Sequence, residues 1–404
     1  MPNTTNLLLV IPAAFLTACS SAQPPAQTLP LASKMVRHAS ATEMVLYQFG
    51  SRQPDGAYPS AGLTNVNGTM YGVTTASTAN GPGVLFSITP SGTYTIVHRF
   101  NKAQAKRPLR ELTAVGRNQV ALYGAAYGGG AYGYGTVFER MAGGKIVVLH
   151  SFPAPFPTTT DGAWPSSRLL NVGGTLYGTT LGGGPSDFGT VFSITTSGSE
   201  NVVYNFAGAP NDGTGPEAGM VDVNGTFYGT TSAGGTANSG TVFKVTSSGT
   251  ESVLHSFSGG SSDGSDPEAP LLNVAGTLYG TTFTGGIGCT PLGGCGTVFQ
   301  ITPSGQEIVL HEFGGSSNDG TNPLSGLLDV NGTLYGTTYG GGANGYGTVF
   351  AITRSGTETV VYNFAGGADG AHPEAGLINV GVTLYGTTDA GGGPGFGTIY
   401  SLSL

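Results

Sequence analysis

Charged residues are scarce in this chain of 404 residues, because only 9% are Asp, Glu, Lys or Arg, and the formal net charge is −8. Disordered chains carry many charges and few aromatic residues, whereas this sequence has 19 Phe and 18 Tyr at regular positions. The acidic balance argues against nucleic acid as a partner, since that binding depends on a basic surface. The composition therefore indicates a packed protein that does not bind nucleic acid.

The chain also lacks an apolar run of the about 20 residues that a membrane-spanning helix needs. A shorter run, Leu7 to Ala18, is typical of a secretory signal. The segment Leu16-Thr17-Ala18-Cys19 resembles a bacterial lipobox. The resemblance implies a lipoprotein signal peptide over residues 1–18, lipidation of Cys19 and, because Ser20 follows, the outer membrane. A plain signal peptide cut nearby is the alternative.

Cysteine is rare, with three in the chain. If Cys19 carries lipid at the start of a flexible tether over residues 19–42, the remaining two are Cys289 and Cys295, in the sequence GCTPLGGC. In the oxidising compartment of an exported protein, such a pair predicts a disulfide. A metal site is the alternative, but it needs more ligands than this loop provides. We therefore expect a disulfide, with no metal and no cofactor.

Repetition dominates residues 43–404. A Tyr-Gly segment, LYGTT in most copies, recurs at intervals of 50 to 56 residues. Each copy is followed by a segment such as GTVF and then by a segment such as VLHSF or VVYNF. Each of these three kinds of segment occurs seven times. The tyrosines of the Tyr-Gly segments are Tyr71, Tyr123, Tyr177, Tyr228, Tyr279, Tyr335 and Tyr385.

Each repeat contains four short segments rich in Val, Thr, Tyr and Phe, the composition of β-strands. In one copy these segments are Gly326–Val330, Thr333–Thr338, Gly347–Thr353 and Thr359–Phe364. Asn331-Gly332 joins the first two and suits a two-residue type I′ hairpin. No stretch after the leader has a convincing helical period, so the sequence predicts an all-β fold.

A four-stranded unit of about 50 residues, repeated in a ring, is typical of a β-propeller. The repeat region begins with a lone fourth strand, Glu43–Phe49, and its last unit, ending at Leu404, lacks a fourth strand. A ring can join these two pieces, whereas an open solenoid would need capping units. We predict a seven-bladed β-propeller with four strands per blade, closed by the N-terminal strand pairing with the C-terminal three strands.

The succession LYGTT, a Gly-rich loop, GTVF, SGTE, VLHSF and DGxxPxAGL resembles the bacterial GloVer repeat (Gloeo/Verruco repeat). The resemblance covers residues 43–404 and implies an envelope protein of the choice-of-anchor type. It implies no established activity and no catalytic residues. The unit beginning near Leu112 departs most, because it has LYGAA in place of LYGTT.

Two recurring polar positions have both a structural and a functional interpretation. Four histidines occupy a position that is Tyr in three other copies, which favours a structural role: His98, His150, His255 and His311. The Asp of DGxxPxAGL favours a turn, since Asp, Gly and Pro all suit turns: Asp55, Asp161, Asp212, Asp263, Asp319 and Asp369. The alternative is a ring of cation sites helped by Glu217, Glu268 and Glu374, although calcium takes six or more oxygens per site.

The longest loops indicate a binding face. In an up-and-down blade, the loops after the second and fourth strands emerge on one face. Two neighbouring loops there depart from the repeat, Asn101–Leu112 and Pro153–Ser166. Their candidate ligand-binding residues are Lys102, Lys106, Arg107, Arg110, Phe156 and the single tryptophan, Trp164. Basic groups beside aromatic rings predict binding of an acidic sugar or polymer, and a solvated basic loop beside a packed Trp is the alternative.

The charges are divided unevenly along the chain, with 12 basic and 7 acidic residues in 1–200 but 2 and 15 in 201–404. On a closed ring this places opposite charge on opposite sides, a field that can steer charged partners.

No catalytic constellation is evident, so we predict a monomeric, non-catalytic envelope lipoprotein that binds a glycan or an envelope protein and contacts the membrane only through its lipid. A polysaccharide-active hydrolase or lyase and a structural or adhesive protein are the alternatives, since propeller carboxylates can pair across blades.

Overall fold

The computed structural model describes residues 41–52, 54–79, 81–117, 119–154, 160–288 and 294–404. In this part of the chain the regular structure is β, arranged mainly in seven antiparallel sheets, six with four strands and one with five. None of these residues forms a helix long and apolar enough to cross a bilayer. The predicted signal peptide and Cys19 lie outside the described residues.

In the first six sheets, here called blades 1 to 6, the four strands follow one another in sequence. Blade 1 contains Thr64–Val66, Thr69–Val73, Val84–Ile88 and Tyr94–Arg99, and blade 2 contains Thr113–Val115, Ala121–Ala126, Thr136–Arg140 and Ile146–Ser151. Blade 3 contains Leu170–Val172, Thr175–Gly183, Thr190–Thr195 and Glu200–Asn205, and blade 4 contains Val221–Val223, Thr226–Thr231, Thr241–Thr246 and Glu251–Ser256. Blade 5 contains Leu272–Val274, Thr277–Thr282, Thr297–Ile301 and Glu307–Glu312, and blade 6 contains Leu328–Val330, Thr333–Thr338, Thr348–Thr353 and Glu358–Asn363.

Blade 7 combines the two ends of the repeat region. Its first three strands are Ile378–Val380, Thr383–Thr388 and Thr398–Ser403, and its fourth is Thr42–Gln48. Thr42 pairs with Ser403 and Gln48 with Thr398 in an antiparallel register. The first strands of blades 1 and 7 also contact each other. The predicted seven-bladed propeller and its mode of closure are confirmed.

Pairs of two-residue strands, which the sequence did not predict, join the loops that follow the second and fourth strands. They are Gly56–Ala57 with Ala76–Ser77, Gly213–Thr214 with Ala233–Gly234, Gly264–Ser265 with Thr284–Gly285, Gly320–Thr321 with Gly340–Gly341, and Gly370–Ala371 with Ala390–Gly391. In blade 3, Gly162–Pro165 pairs with the long second strand instead. These pairs place both kinds of loop on one face, here called the loop face.

The glycine of each Tyr-Gly strand makes room for the aromatic ring of the third strand. Gly280 pairs directly with Phe299, and a Cβ atom at Gly280 would lie 2.5 Å from Cζ of Phe299. The same relation holds in blade 2, where a Cβ atom at Gly124 would lie 2.5 Å from Cζ of Phe138. The LYGTT and GTVF motifs recur together because each supplies one half of this contact.

These rings also form edge-to-face pairs that join neighbouring blades. Each pair combines the Phe after a fourth strand with the aromatic of the next blade's third strand, at ring-centroid distances of 5.0 to 5.4 Å. The seven pairs are Phe49–Phe86, Phe100–Phe138, Phe152–Phe192, Phe206–Phe243, Phe257–Phe299, Phe313–Phe350 and Phe364–Tyr400. Apart from Phe100, these side chains are at most 1% exposed, so the pairs form the buried interior between blades.

Phe49→Ala tests the ring closure, because Phe49 follows the strand that completes blade 7 and is fully buried. We expect a loss of about 3–5 kcal/mol in the free energy of unfolding, the usual effect of truncating a buried Phe. Met44→Ala, on the same strand at 60% exposure, should change stability by less than about 0.5 kcal/mol. Equal effects of the two substitutions in denaturant unfolding would contradict the closure.

Candidate functional site

Seven residues on the loop face, each directly before a proline, have positive φ angles between 54° and 67°. They are Tyr58, Arg107, Trp164, Gly215, Asp266, Asn322 and His372, here called the staple residues. For a residue other than Gly this conformation costs about 1–3 kcal/mol and persists only where the surrounding structure enforces it. Such positions cluster at functional sites.

Backbone hydrogen bonds between adjacent blades enforce the conformation of the staple residues. The Asn322 N–H donates to the Cys295 carbonyl, in the blade 5 loop, at 2.7 Å. The Asn322 carbonyl accepts from Tyr339 N–H, at the end of a blade 6 strand, at 3.0 Å. Equivalent pairs of bonds hold Tyr58, Gly215, Asp266 and His372, and the Trp164 N–H donates to the Tyr134 carbonyl in the same way. Each of these residues therefore fastens one blade to the next.

Trp164 is the centre of an aromatic cluster between blades 2 and 3. Its ring is nearly parallel to Tyr127, with centroids 6.2 Å apart, and lies 5.9 Å from the Tyr134 ring. The guanidinium carbon of Arg107 lies 5.3 Å from the Tyr127 centroid, within cation–π range. Arg107 is exposed and the three rings are half-buried. These four residues are here called the aromatic patch.

The structure brings together only some of the predicted binding residues. Arg107 and Trp164 belong to the aromatic patch, whereas Arg110 points elsewhere. Lys102 and Lys106 are exposed, and the backbone of Lys106 exchanges hydrogen bonds with Gly128. The predicted Phe156 and the disulfide partner Cys289 lie outside the described residues, and Cys295 is buried. The disulfide therefore stays a prediction.

Sequence reasoning missed Tyr127 and Tyr134, although both complete the patch. Tyr127 directly follows the LYGAA strand and Tyr134 precedes GTVF. They look like ordinary members of a Gly-rich loop, because Tyr339 and Tyr346 occupy the same repeat positions in another blade. In that blade, Tyr339 and Tyr346 likewise contact His372, the residue before the next proline. Comparing these two repeat positions with the residue before the next proline in every copy would therefore have found Tyr127 and Tyr134.

A cavity of about 790 Å³ runs along the propeller axis, lined by residues in or next to the first strand of all seven blades. A smaller space beside it is lined by Arg110, Arg168 and Glu374, among others. The Nε–H of Arg110 donates to the Ser166 carbonyl at 3.1 Å. Arg110 also interacts electrostatically with Glu217, Glu268 and Glu374. These four charged residues are here called the channel mouth.

Burial dominates the acidity of the channel mouth. It raises the pKa of Glu268 to about 7, helped by repulsion from Glu217 and opposed by Arg110. It raises the pKa of Glu374 to about 7 as well, helped by Asp389. Burial also raises the pKa of Glu217. In the channel mouth, Glu268 and Glu374 therefore titrate near neutral pH close to Arg110.

The Asp-Gly positions have the geometry of turns. The carboxylate of Asp212 accepts hydrogen bonds from Gly213 N–H at 2.6 Å and from Ala207 N–H at 2.7 Å, and it also accepts from the Tyr204 hydroxyl at 2.8 Å. Histidine replaces this tyrosine at other blades, where His150 contacts Asp161 at 3.0 Å. Among the described residues, Glu217, Glu268 and Glu374 belong to no group of side chains close enough to share a cation with these aspartates.

Glu268→Gln combined with Glu374→Gln tests the acidity of the channel mouth. Because the folded pKa values lie near 7 and the unfolded value near 4.5, the folded state holds the extra protons between these values. The stability that these two groups contribute is therefore fully present below pH 4.5 and is lost as the pH rises through 7. The double variant should be stabilised at pH 8 but not at pH 4.5, as measured by urea unfolding. An equal change at both pH values would contradict the assignment.

Solved structures of other proteins resemble this propeller. A puromycin-hydrolyzing peptidase from Mycobacterium tuberculosis has a TM-score of 0.52 and 11% sequence identity, over 81% of this chain and 48% of that chain. A puromycin hydrolase has a TM-score of 0.53 and 14% identity, over 84% of this chain and 51% of that chain. The present chain thus spans about half the length of these enzymes, and the likeness supports the fold alone.

No curated protein matches the sequence. The model of the Gloeobacter/Verrucomicrobia repeat matches residues 32–224 and again residues 208–400. The two matches together include all seven blades apart from the last residues of the chain. They also agree with the LYGTT and GTVF motifs, whose glycine and phenylalanine form the contact inside each blade. The chain belongs to the Gloeobacter/Verrucomicrobia repeat family.

Proposed function

We propose that this propeller is a non-catalytic binding module of the bacterial envelope that binds an acidic glycan at its loop face. The observation that carries the proposal is the aromatic patch, in which the Arg107 guanidinium lies over the Tyr127 ring and the Trp164 ring is nearly parallel to that ring. Trp, Tyr and Arg are the residues that most often dominate binding energy at interfaces. A stack of rings offers flat apolar faces, and the guanidinium adds a planar donor for a carboxylate.

The backbone at the patch supports the same function. Trp164 is held at a φ of 58° by its N–H bond to the Tyr134 carbonyl at 2.8 Å. Its ring lies against Gly182, where a Cβ atom would be 2.7 Å from Cζ3 of the indole. A ring fixed in this way loses little freedom when a ligand binds, and such preorganisation favours affinity.

A second candidate function is that of a polysaccharide-active enzyme, which the channel mouth favours. A carboxyl group with a pKa near 7, as in Glu268 and Glu374, suits a general acid at neutral pH. Glycoside hydrolysis uses a pair of carboxyl groups, one of which has a raised pKa. Release of product from a bound glycan would favour this second candidate over the first.

Trp164→Gly tests the binding site, because blade 4 has Gly215 at the equivalent position and the fold accepts it. On an array of neutral and uronic-acid oligosaccharides, we expect wild-type protein to retain acidic members without cleaving them. The variant should lose at least about tenfold in affinity, equivalent to about 1.4 kcal/mol. Tyr58→Gly, the same change at the staple residue of blade 1, should leave affinity unchanged. Equal affinity of wild type and the Trp164 variant would refute the site.

Membrane attachment through Cys19 is a further part of the proposal, supported by the Leu-Thr-Ala-Cys sequence after the apolar run. Cys19→Ala should move the protein from the membrane fraction to the soluble fraction, because the acyl chains would be its only membrane contact. Ser20→Ala is the control and should remain in the membrane fraction. Membrane retention of the Cys19 variant would show that another element anchors the protein.

A further inference from the structure

Polar groups from three separate segments meet at the seams between blades. Apart from the seam between blades 1 and 2, whose loop has no Asp, each seam combines a ring of one blade's fourth strand, the Asp of the following loop and a residue at the start of the next blade's fourth strand. Three seams join His, Asp and Glu with ligand atoms within 4.8 Å of one another. They are His150–Asp161–Glu200, His255–Asp263–Glu307 and His311–Asp319–Glu358.

The seams that have Tyr in place of His are closed by short hydrogen bonds. The hydroxyl of Tyr47 donates to Asp55 at 2.6 Å, and the hydroxyl of Tyr204 donates to Asp212 at 2.8 Å. His150 similarly lies 3.0 Å from Asp161. By contrast, Nε2 of His255 lies 3.6 Å from Asp263 and Nε2 of His311 lies 3.5 Å from Asp319. These two distances exceed the range of an N–H···O hydrogen bond.

Several buried polar atoms at these two seams have no hydrogen-bond partner among the described residues. They are Nε2 of His255 and His311 and Oε1 of Glu307 and Glu358. The seam glutamates Glu43, Glu200 and Glu251 likewise have an unpaired Oε1, so the unpaired histidine nitrogen is what distinguishes these two seams. The Asp319 side chain is only 7% exposed, and its Oδ2, the oxygen nearest His311, accepts a hydrogen bond from Gly315 N–H at 3.1 Å. An unsatisfied buried polar group is expensive, and one ion bound by the His and Glu of a seam would compensate both of their unpaired atoms.

The spacing and chemistry of these atoms fit a transition-metal ion. Bonds of about 2.0–2.2 Å in a tetrahedral zinc site place neighbouring ligand atoms roughly 3.3–3.5 Å apart, close to the two His–Asp distances. One imidazole and two carboxylates are common ligands of such ions, whereas calcium prefers six or more oxygens. We propose that His255–Asp263–Glu307 and His311–Asp319–Glu358 each bind a divalent transition-metal ion, for which Zn²⁺ is the natural probe.

The ion would join two blades, because His and Glu come from different blades and Asp from the loop between them. It would bind only the folded ring and should therefore stabilise it. This structural role is independent of the aromatic patch, and the two proposals can fail separately. The His150 seam is expected to bind more weakly, since its histidine already has a hydrogen-bond partner.

The test uses the purified full chain after chelator treatment, titrated with Zn²⁺ by calorimetry, with bound metal measured by mass spectrometry. His255→Tyr and His311→Tyr convert each seam to the Tyr204 arrangement that the fold already contains. We expect each change to remove one tightly bound Zn²⁺ and the double variant to lose both, together with the rise in melting temperature that Zn²⁺ produces in the wild type.

His98→Tyr is the matched control for loss of a histidine. His98 occupies the same repeat position in blade 1, but its Nε2 lies 2.8 Å from the Gln104 amide oxygen, and its loop lacks the Asp-Gly pair. This variant should keep the wild-type number of bound ions. Absence of tight Zn²⁺ binding in the wild type, or an unchanged number of ions in the double variant, would overturn the proposal.

Discussion

The contact between a phenylalanine and the aromatic ring of the next blade, across each seam, is the constraint on which the structure depends. Seven such contacts succeed one another around the ring, at nearly constant distance. Each requires a glycine in the adjacent strand, because any side chain there would occupy the space of the ring. Packing thus explains why Tyr-Gly and Gly-Thr-Val-Phe recur. The recurrence of these residues therefore does not indicate a ligand-binding site.

Beside this apolar interior, a β-bulge shapes the polar part of every seam. All seven pairings of third and fourth strands carry a register shift at the same place, as between Val242 and Phe243. A bulge re-aims the side chains of its strand, and here the paired residue beside the shift is a His or Tyr, which faces Asp at six seams and Gln104 at the seam between blades 1 and 2. The fourth strand therefore carries the polar ring at the seam, and the Phe that follows it packs in the core. The packing of the core and the position of the polar clusters thus depend on the same few residues.

The repeat made the fold predictable, because a comparison of seven imperfect copies shows at which positions the fold requires a particular residue. The strand order, the closure by the first strand and the loop face all follow from the repeat. The candidate site was only partly predictable. Trp164 and Arg107 depart from the repeat and were found, but Arg110 joins the channel mouth, and Tyr127 joins the patch only through contacts between blades. The seam glutamates were missed for the same reason, since Glu307 lies far along the chain from His255.

The staple residues have one more consequence. Tyr, Arg, Trp, Gly, Asp, Asn and His all occupy this single position, so its geometry is specified by main-chain atoms and by the following proline, whatever the side chain. The propeller thus presents seven equivalent positions around the ring, and their side chains can be exchanged while the backbone stays the same. Such an arrangement lets recognition diverge by point mutation while the architecture stays fixed, in the way that hypervariable loops diverge on a constant framework.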